Sequence, residues 1–296
     1  MPNGSDTDHW RRMFRRGLRA AIGGLPEGVR EFVYRQIKGV VRDVGRWGPE
    51  ERVILPDGGK MLLDLGDSQQ RHLYYCGFYE RRSIACLARF LRPGDTFVDI
   101  GANVGYFTIW AARRLQPAGR VFSFEPNPQA YARLAANVSA NEFTNVVLFN
   151  TAVGERESTA CLTANRHDTA TSYLVSGDGL EVAGCVRVPV RSLDSCLAEV
   201  GAPRVSLVKM DAEGSEPAIL RGAERTLACR PRLLVEVDEM RLERAGSSAR
   251  ELLATLAALG YAPYEVGRRG SLTPLRPGKR RGRYVNLCFL PREEVR

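Results

Sequence analysis

The sequence predicts an α/β protein with a mostly parallel sheet, an antiparallel edge strand and helices on both faces. From Thr96 onward, short apolar segments alternate regularly with longer segments of helical periodicity. Each short segment is apolar almost throughout, which is typical of strands covered on both faces. The first two of these strands end in a carboxylate, so candidate functional side chains gather at one edge of the sheet.

The first 92 residues are predicted to form an N-terminal extension of helices and a hairpin. Residues 8–46 have helical spacing, interrupted at GGLPEG. Residues 52–65 place apolar residues around Asp57-Gly58-Gly59, which is a hairpin signature. The segment that starts at RHLYYCGF reads as one helix, closed by Pro93 and Gly94. We expect this extension to cover the active site of the second domain, residues 93–296.

The elements of the second domain follow in order. The strands are TFVDIG, RVFSFEP, NVVLFNTAVG, VSLVKMDA and RLLVEVDE, with YAPYEV and YVNLCFL as edge strands. The helices are NVGYFTIWAARRL, NPQAYARLAANVSAN, SLDSCLAEV, EPAILRGAERTLAC and SARELLATLAALG. A polar segment at 155–191, which ends in the β-like VRVPV, interrupts the alternation.

The amino-acid composition is typical of a globular protein. The chain has 296 residues, 44% of them hydrophobic, which is enough for a substantial core. No apolar run approaches the ~20 residues of a membrane span, and MPNGSDTDHW lacks the apolar core of a secretory signal, so we expect a cytoplasmic protein. The seven cysteines form no CxxC pair, which argues for reduced thiols and against a zinc site or a disulfide framework.

The formal net charge of +9 is unevenly distributed, with much of it in RRMFRR and in residues 267–283. Such runs attract phosphate-bearing partners, but blocks of like charge are usually solvated loops and tails. Few aromatic residues are interleaved to stack on bases, so a nucleic-acid partner is not expected.

DIGANVGYFT carries a candidate ligand site between the first strand and the first helix. Asp99, Gly101, Asn103 and Gly105 lie where open α/β sheets bind ligands, and the glycines let backbone approach a ligand closely. The spacing is GxxxG rather than the GxGxxG of a dinucleotide site. Because Asp99 would repel a phosphate and attract a cation, the pattern favours S-adenosylmethionine, which carries a sulfonium and no phosphate.

The ends of the next two strands extend this prediction. Glu125 is placed to accept hydrogen bonds from ribose hydroxyls, as an acidic residue does at that position in dinucleotide folds. Asn150, Thr151 and Ala152 are predicted to flank the adenine ring. An ordinary strand-to-loop junction is the alternative for these three residues.

The chain resembles the FkbM family of class I methyltransferases from about Tyr79 to the C-terminal strands. The matching segments are FYERRS, PGDTFVDIGANVGYFTIWA, GRVFSFEPNP, LAANVSANEFTNV, NTAVG, VRSLDS, VKMDAEGSEPAILRGAE and LLVEVDE. The resemblance implies a Rossmann-like fold, S-adenosylmethionine as methyl donor and O-methylation of a hydroxyl on a sugar or natural product. It adds Pro126, Tyr79 and Glu80 to the cofactor contacts, and it marks Lys209, Asp211, Glu213 and Gly214 as the segment nearest the chemistry.

Methyl transfer to a hydroxyl needs alignment and a base that accepts the proton. Asp211 is the predicted base, and Lys209 shares its side of the strand because side chains two apart point the same way. Glu213 is a further catalytic candidate or a helix-start residue, and His167 is a second candidate base. A carboxylate cluster of Asp211 and Asp238 around a magnesium ion is an alternative that we do not favour.

Three competing functions stay open at the sequence level. The basic runs suggest a nucleic-acid methyltransferase, and a cofactor-binding module without turnover would retain Glu125 but would not need Asp211. A nicotinamide oxidoreductase is disfavoured by the GxxxG spacing. The expected partner is a small hydroxylated acceptor, and the sequence leaves open whether the protein forms a homo-oligomer.

Overall fold

The structure, a computed structural model, describes residues 4–45, 50–163, 172–175, 185–276 and 284–294. Among these residues, one compact unit ends at Glu80 and a second begins at Arg81. The sequence-based boundary at residue 92 differs from this division by one helix. None of the described helices is long and apolar enough to cross a bilayer.

The first unit contains helices and a hairpin. Its elements are α1 (Gly4–Gly23), α2 (Glu27–Gln36), α3 (Lys38–Gly45), β1 (Glu50–Ile54), β2 (Lys60–Asp64) and α4 (Ser68–Cys76). β1 and β2 pair antiparallel as predicted, and the Asp57 side chain accepts a hydrogen bond of 3.0 Å from the Gly59 N–H in the turn. The prediction of one helix through RHLYYCGFYERRS is wrong, because Gly77 adopts φ 77° and ends α4 there.

The main sheet of the second unit has the predicted mixed topology. Its strands are β3 (Thr96–Ile100), β4 (Arg120–Phe124), β5 (Val146–Phe149), β10 (Leu207–Met210), β11 (Arg232–Asp238), β12 (Tyr261–Val266), β13 (Leu272–Pro274) and β14 (Tyr284–Pro291). Their order is β13-β12-β14-β11-β10-β3-β4-β5. The five strands from β11 to β5 are parallel, and β14, β12 and β13 extend the sheet antiparallel at one edge.

Helices pack on both faces of this sheet. They are α5 (Arg81–Phe90), α6 (Tyr106–Leu115), α7 (Pro128–Ala140), α8 (Leu193–Glu199), α9 (Glu216–Arg221), α10 (Glu224–Ala228), α11 (Glu239–Arg244) and α12 (Ala249–Ala258), with 3-10 turns at Arg268–Gly270 and Arg292–Glu294. On one face, Val98 and Val208 share a buried core with Leu220 of α9 and Leu252 of α12. Asp99 points to the opposite face, where it meets α6. The strand ends that carry the candidate residues are thereby held from both sides.

The polar segment after β5 forms a second sheet, in the order β6-β9-β7-β8. Its strands are β6 (Ala152–Gly154), β7 (Ser158–Thr163), β8 (Tyr173–Val175) and β9 (Cys185–Ser192). A disulfide joins Cys161 to Cys185, whose Cα atoms are 5.6 Å apart, so the expectation that the cysteines are all reduced is wrong. The two cysteines meet only because β7 and β9 pair antiparallel, and the sequence separation of 24 gives no sign of that register.

Candidate active site

The loop between β3 and α6 is shaped by its two glycines. Gly101 has φ 76°, and a Cβ atom there would lie 1.9 Å from the carbonyl oxygen of Asp211. A Cβ on Gly105, with φ 95°, would lie 2.7 Å from Leu134 Cδ1. The sequence interpretation assigned this space to a ligand. In the structure, the missing side chains let the end of β10 and helix α7 approach the loop.

Glu125 connects this loop to the end of β4. Its Oε2 accepts a 2.7 Å hydrogen bond from the Asn103 N–H, and its Oε1 accepts one of 2.8 Å from the Asn127 N–H. The side chain is buried, and burial raises the pKa of Glu125 to about 7 although both backbone donors favour the charged form. One carboxylate therefore holds two consecutive strand ends in a fixed relation.

Lys209 lies directly beside Asp99, because the parallel register of β10 and β3 pairs these two residues. Its Nζ is 3.0 Å from Asp211 Oδ2, 3.9 Å from Asp99 Oδ1 and 4.7 Å from the centre of the Phe107 ring. The Lys209 side chain is 2% exposed, whereas that of Asp211 is 22% exposed. A buried cation thus supports a carboxylate that solvent can reach, as expected for side chains two apart on one strand.

Asp99 is fully buried within a polar network under Lys209. Its Oδ2 accepts a hydrogen bond of 2.7 Å from Thr108 Oγ1, which lies 2.8 Å from Ser123 Oγ. Its Oδ1 accepts no hydrogen bond from the described residues and has the Lys209 charge as its neighbour. Burial raises the pKa of Asp99, and Lys209 opposes that shift. The Asp99 carboxylate faces protein groups, so its predicted contact with a cofactor stays a prediction.

A second group of carboxylates surrounds the guanidinium of Arg241. Asp211, Glu213 and Glu236 each place an oxygen within 4.8 Å of the others. Arg241 Nε is 2.8 Å from Glu213, and its Nη1 contacts Glu236. Burial, together with the charge of Asp211, raises the pKa of Glu213 to about 8 and raises that of Glu236 as well.

This cluster differs from the metal arrangement considered in the sequence analysis. Asp238 Oδ1 accepts hydrogen bonds from the N–H groups of Met240 and Arg241 at the start of α11, and the three converging carboxylates include Glu236 in its place. Their oxygens have the chemistry of a divalent-cation site. Arg241 already supplies a positive charge among them.

Glu216 closes the turn that follows Asp211. Its Oε1 accepts hydrogen bonds of 2.9 Å from Ala212 N and 3.5 Å from Gly214 N. The side chain is 1% exposed, and burial raises its pKa to about 7. Glu213 lies in this turn with φ 56°, ahead of α9, and not within the helix.

The remaining predicted cofactor residues differ in position. Asn150 Nδ2 donates a 2.9 Å hydrogen bond to the Glu125 carbonyl oxygen and a longer one to that of Pro126, so it belongs with the end of β4. Thr151 donates to the Pro189 carbonyl oxygen, and Ala152 begins β6, so both belong with the second sheet. Their predicted adenine contact stays a prediction.

Three further residues predicted for the site are Tyr79, Glu80 and His167. Tyr79 and Glu80 belong to the first unit, where the Tyr79 ring lies 6.0 Å from that of His72. His167 lies outside the described residues. Their proposed roles rest on the sequence alone.

Comparison with known proteins decides the family. The profile described as the Methyltransferase FkbM domain matches residues 99–263, more than half of the chain, from Asp99 through Glu125 and Asp211. The chain belongs to the FkbM methyltransferase family. The resemblance noted from DIGANVGYFT and KMDAEGSE is thereby confirmed, and the protein is a methyltransferase by family.

Three curated relatives are between 26% and 28% identical to this chain over the matched residues. FkbM of Streptomyces tacrolimicus, a 31-O-demethyl-FK506 methyltransferase, is 27% identical over 203 residues, covering 59% of this chain and 76% of that protein. The 2-O-methyltransferase NoeI of Sinorhizobium fredii is 26% identical over 181 residues, covering 56% of this chain and 72% of that protein. Methyltransferase 1 of Beauveria bassiana is 28% identical over 150 residues, covering 45% of this chain and 60% of that protein.

A solved structure of methyltransferase FkbM from Methylobacillus flagellatus covers 87% of this chain with 14% identity and a TM-score of 0.44. The match spans 59% of that chain. The fold assignment therefore rests on the strand order and not on this similarity. Because the chain spans about three fifths of that protein and of the Beauveria relative, the activities of the whole relatives are not transferred to this chain.

Several residues of the candidate site were not singled out by sequence reasoning. Thr108 and Ser123 lie in a helix and a strand that read as apolar, so nothing in the sequence distinguished them from core residues. Arg241 carried a usable signal. It closely follows the acidic strand end that contains Glu236, Asp238 and Glu239 in the sequence, where a basic side chain is suited to pair with carboxylates.

Proposed function

We propose that this FkbM-family protein transfers a methyl group from S-adenosylmethionine to a hydroxyl of a small molecule. The Lys209–Asp211 pair is the observation that carries the proposal. It combines a partly exposed carboxylate with a buried cation at the end of β10, next to the loop that Glu125 holds. Family membership supports the reaction class.

The residues at the strand ends fit a positively charged adenosine derivative. Glu125, Asp99 and Asp211 provide negative charge, which favours a sulfonium and disfavours the pyrophosphate of a nicotinamide cofactor. Glu125 would hold the ribose, because each of its oxygens accepts one backbone N–H and has capacity for a further hydrogen bond. When bound, S-adenosylmethionine supplies a methyl group attached to positive sulfur.

Asp211 is the proposed general base. Its Oδ2 lies 3.0 Å from Lys209 Nζ, and its exposed fraction leaves room for a hydroxyl to donate a hydrogen bond. As the hydroxyl oxygen attacks, its proton passes to Asp211. Proton acceptance of this kind accelerates a reaction by roughly 10²–10⁴-fold.

The proposed acceptor is a small hydroxylated molecule. Two related proteins are named as O-methyltransferases, NoeI and the FK506 methyltransferase FkbM, and this supports oxygen as the methylated atom. The basic runs give the nucleic-acid alternative little support. Within RRMFRR, Arg15 forms a buried ion pair with Glu51, which leaves this residue unavailable to a phosphate. The GKRRGR run lies outside the described residues.

Calorimetric titration with S-adenosylhomocysteine and with NADH tests the cofactor assignment. The protein should bind S-adenosylhomocysteine and not NADH. Glu125→Ala should weaken S-adenosylhomocysteine binding by about tenfold or more, since it removes the ribose acceptor and releases both loops that Glu125 holds. Glu155→Ala is the matched control, because Glu155 is exposed on the second sheet and pairs with Arg221. Unchanged affinity in Glu125→Ala would show that Glu125 does not hold the ribose. Preferential binding of NADH would contradict S-adenosylmethionine as the cofactor.

A further inference from the structure

The edge strand of the second sheet makes two contacts that lie on opposite sides of Asp211 in the main sheet. Ser172 Oγ, just before β8, lies 3.4 Å from Asn127 Nδ2, which follows β4. The Tyr173 ring lies 3.6 Å from the guanidinium carbon of Arg244, at the end of the helix that follows β11. In the sheet order, β3 and β10 separate β4 from β11. Residues 172–173 therefore cross the strand ends that carry Asp99 and Asp211.

The backbone of β8 fixes which way Tyr173 faces. Thr163 and Tyr173 are paired across β7 and β8, and Thr163 Oγ1 is 3.2 Å from the Tyr173 carbonyl oxygen. Leu174 packs against the small core of the second sheet. Because neighbouring side chains on a strand alternate in direction, Tyr173 lies on the opposite face from that core, where it meets Arg244.

We propose that Tyr173 and Arg244 form one wall of the acceptor site above Asp211, and that the acceptor is an uncharged hydroxylated ring. This inference rests on the proposed methyltransferase function. An aromatic ring offers an apolar face to the C–H groups of such an acceptor, and its contact with Arg244 holds that ring in place. The carboxylates of the site are left to accept hydrogen bonds from hydroxyls.

The charges around Asp211 argue for an acceptor without phosphate. Lys209 faces Asp211 and Asp99, and Arg241 faces Glu213 and Glu236. The Arg244 guanidinium is stacked on Tyr173. Lys209 and Arg241 already face carboxylates, so binding a phosphate at either of them would require breaking an ion pair and would bring its charge close to those carboxylates. A neutral sugar or a similar polyol ring needs no such exchange.

The test measures methyl transfer from radiolabelled S-adenosylmethionine to a panel of neutral methyl glycosides and the matching sugar phosphates. We expect the neutral compounds to be methylated in preference. Tyr173→Ala should raise the acceptor KM by about tenfold or more, Tyr173→Phe should stay near the wild-type value, and Arg244→Met should raise the KM severalfold. In each variant, affinity for S-adenosylhomocysteine should stay within about twofold of wild type.

Two control variants test whether a raised KM is specific to Tyr173 and Arg244 or follows from the loss of any tyrosine or arginine. Tyr264→Ala removes a half-buried tyrosine from strand β12, and Arg221→Met removes an exposed arginine paired with Glu155. Both should keep the wild-type KM. An unchanged KM in Tyr173→Ala, preference for sugar phosphates, or no methylation of any glycoside would overturn the inference. If the wild-type protein fails to bind S-adenosylhomocysteine at all, the proposed function itself is wrong.

Discussion

At the scale of single residues, the site depends on charges that are buried in pairs. Asp99 is enclosed by Lys209 and Thr108, and Lys209 in turn supports Asp211. A buried ion is costly unless an opposite charge and hydrogen bonds compensate it. Lys209 is thus a buried counter-charge near both Asp99 and Asp211, whereas sequence reasoning placed it only on the same side of the strand as Asp211.

Lys209→Met should lower the free energy of unfolding by about 3–5 kcal/mol, because it leaves the Asp99 carboxylate buried without a counter-charge. The double variant Asp99→Asn with Lys209→Met should recover a large part of this loss. Urea denaturation of the wild-type protein and the single and double variants measures the coupling. Strictly additive losses would show that Asp99 and Lys209 do not stabilise one another.

At the scale of elements, the turns at the ends of β3 and β10 fit together. The Asp211 carbonyl approaches Gly101 so closely that no side chain fits, and Glu216 holds the following turn through its backbone N–H groups. The two turns carry the predicted cofactor loop and the predicted base. Their mutual position is therefore set by backbone packing as well as by side-chain contacts.

Gly101→Ala should destabilise the protein and weaken S-adenosylhomocysteine binding. Gly94→Ala is the matched control: Gly94 has φ 91°, but a methyl group there would have none of the described residues within 4 Å, whereas the methyl on Gly101 would meet Asp211 at 1.9 Å. The control should cost only the ~1–2 kcal/mol of a left-handed backbone. Gly101→Ala should cost clearly more, as measured by urea denaturation. Equal losses in the two variants would contradict the close approach.

The buried Glu216, at the turn after β10, leads us to expect that the stability of the fold depends on pH. Glu216 has a folded-state pKa of about 7 against an ordinary value of 4.5, so the folded state retains a proton that the unfolded state loses. Stability therefore falls as pH rises from about 4.5 to about 7, and Glu213 and Glu125 act in the same direction.

Glu216→Gln should remove the contribution of Glu216 to this pH dependence. Its amide oxygen can still accept the hydrogen bonds from Ala212 and Gly214. Relative to wild type, the variant should gain about 1–3 kcal/mol of unfolding free energy between pH 5 and pH 8. Denaturation curves at the two pH values measure this difference. A parallel pH dependence in both proteins would show that Glu216 is not protonated in the folded state.

At the scale of the whole chain, the sequence was sufficient to predict the parallel sheet and to place Asp99, Glu125 and Asp211 near the ends of its strands. Periodicity located β3, β4, β10 and β11, and parallel strands bring their carboxyl ends together. Contacts across distant segments were not predictable. The Cys161–Cys185 disulfide depends on strand register, and the Arg241 cluster depends on how α11 leaves β11. Sequence patterns report local periodicity, whereas these contacts are fixed by tertiary packing.

The proposed chemistry is tested most directly by comparing Asp211→Asn with the wild-type protein in transfer of labelled methyl from S-adenosylmethionine. The acceptors are small-molecule extracts of the source organism, and Glu155→Gln is the control for loss of an exposed carboxylate. We predict that Asp211→Asn binds S-adenosylhomocysteine as wild type does but transfers methyl at least ~100-fold more slowly. Wild-type turnover in Asp211→Asn would contradict the assignment of Asp211 as the base.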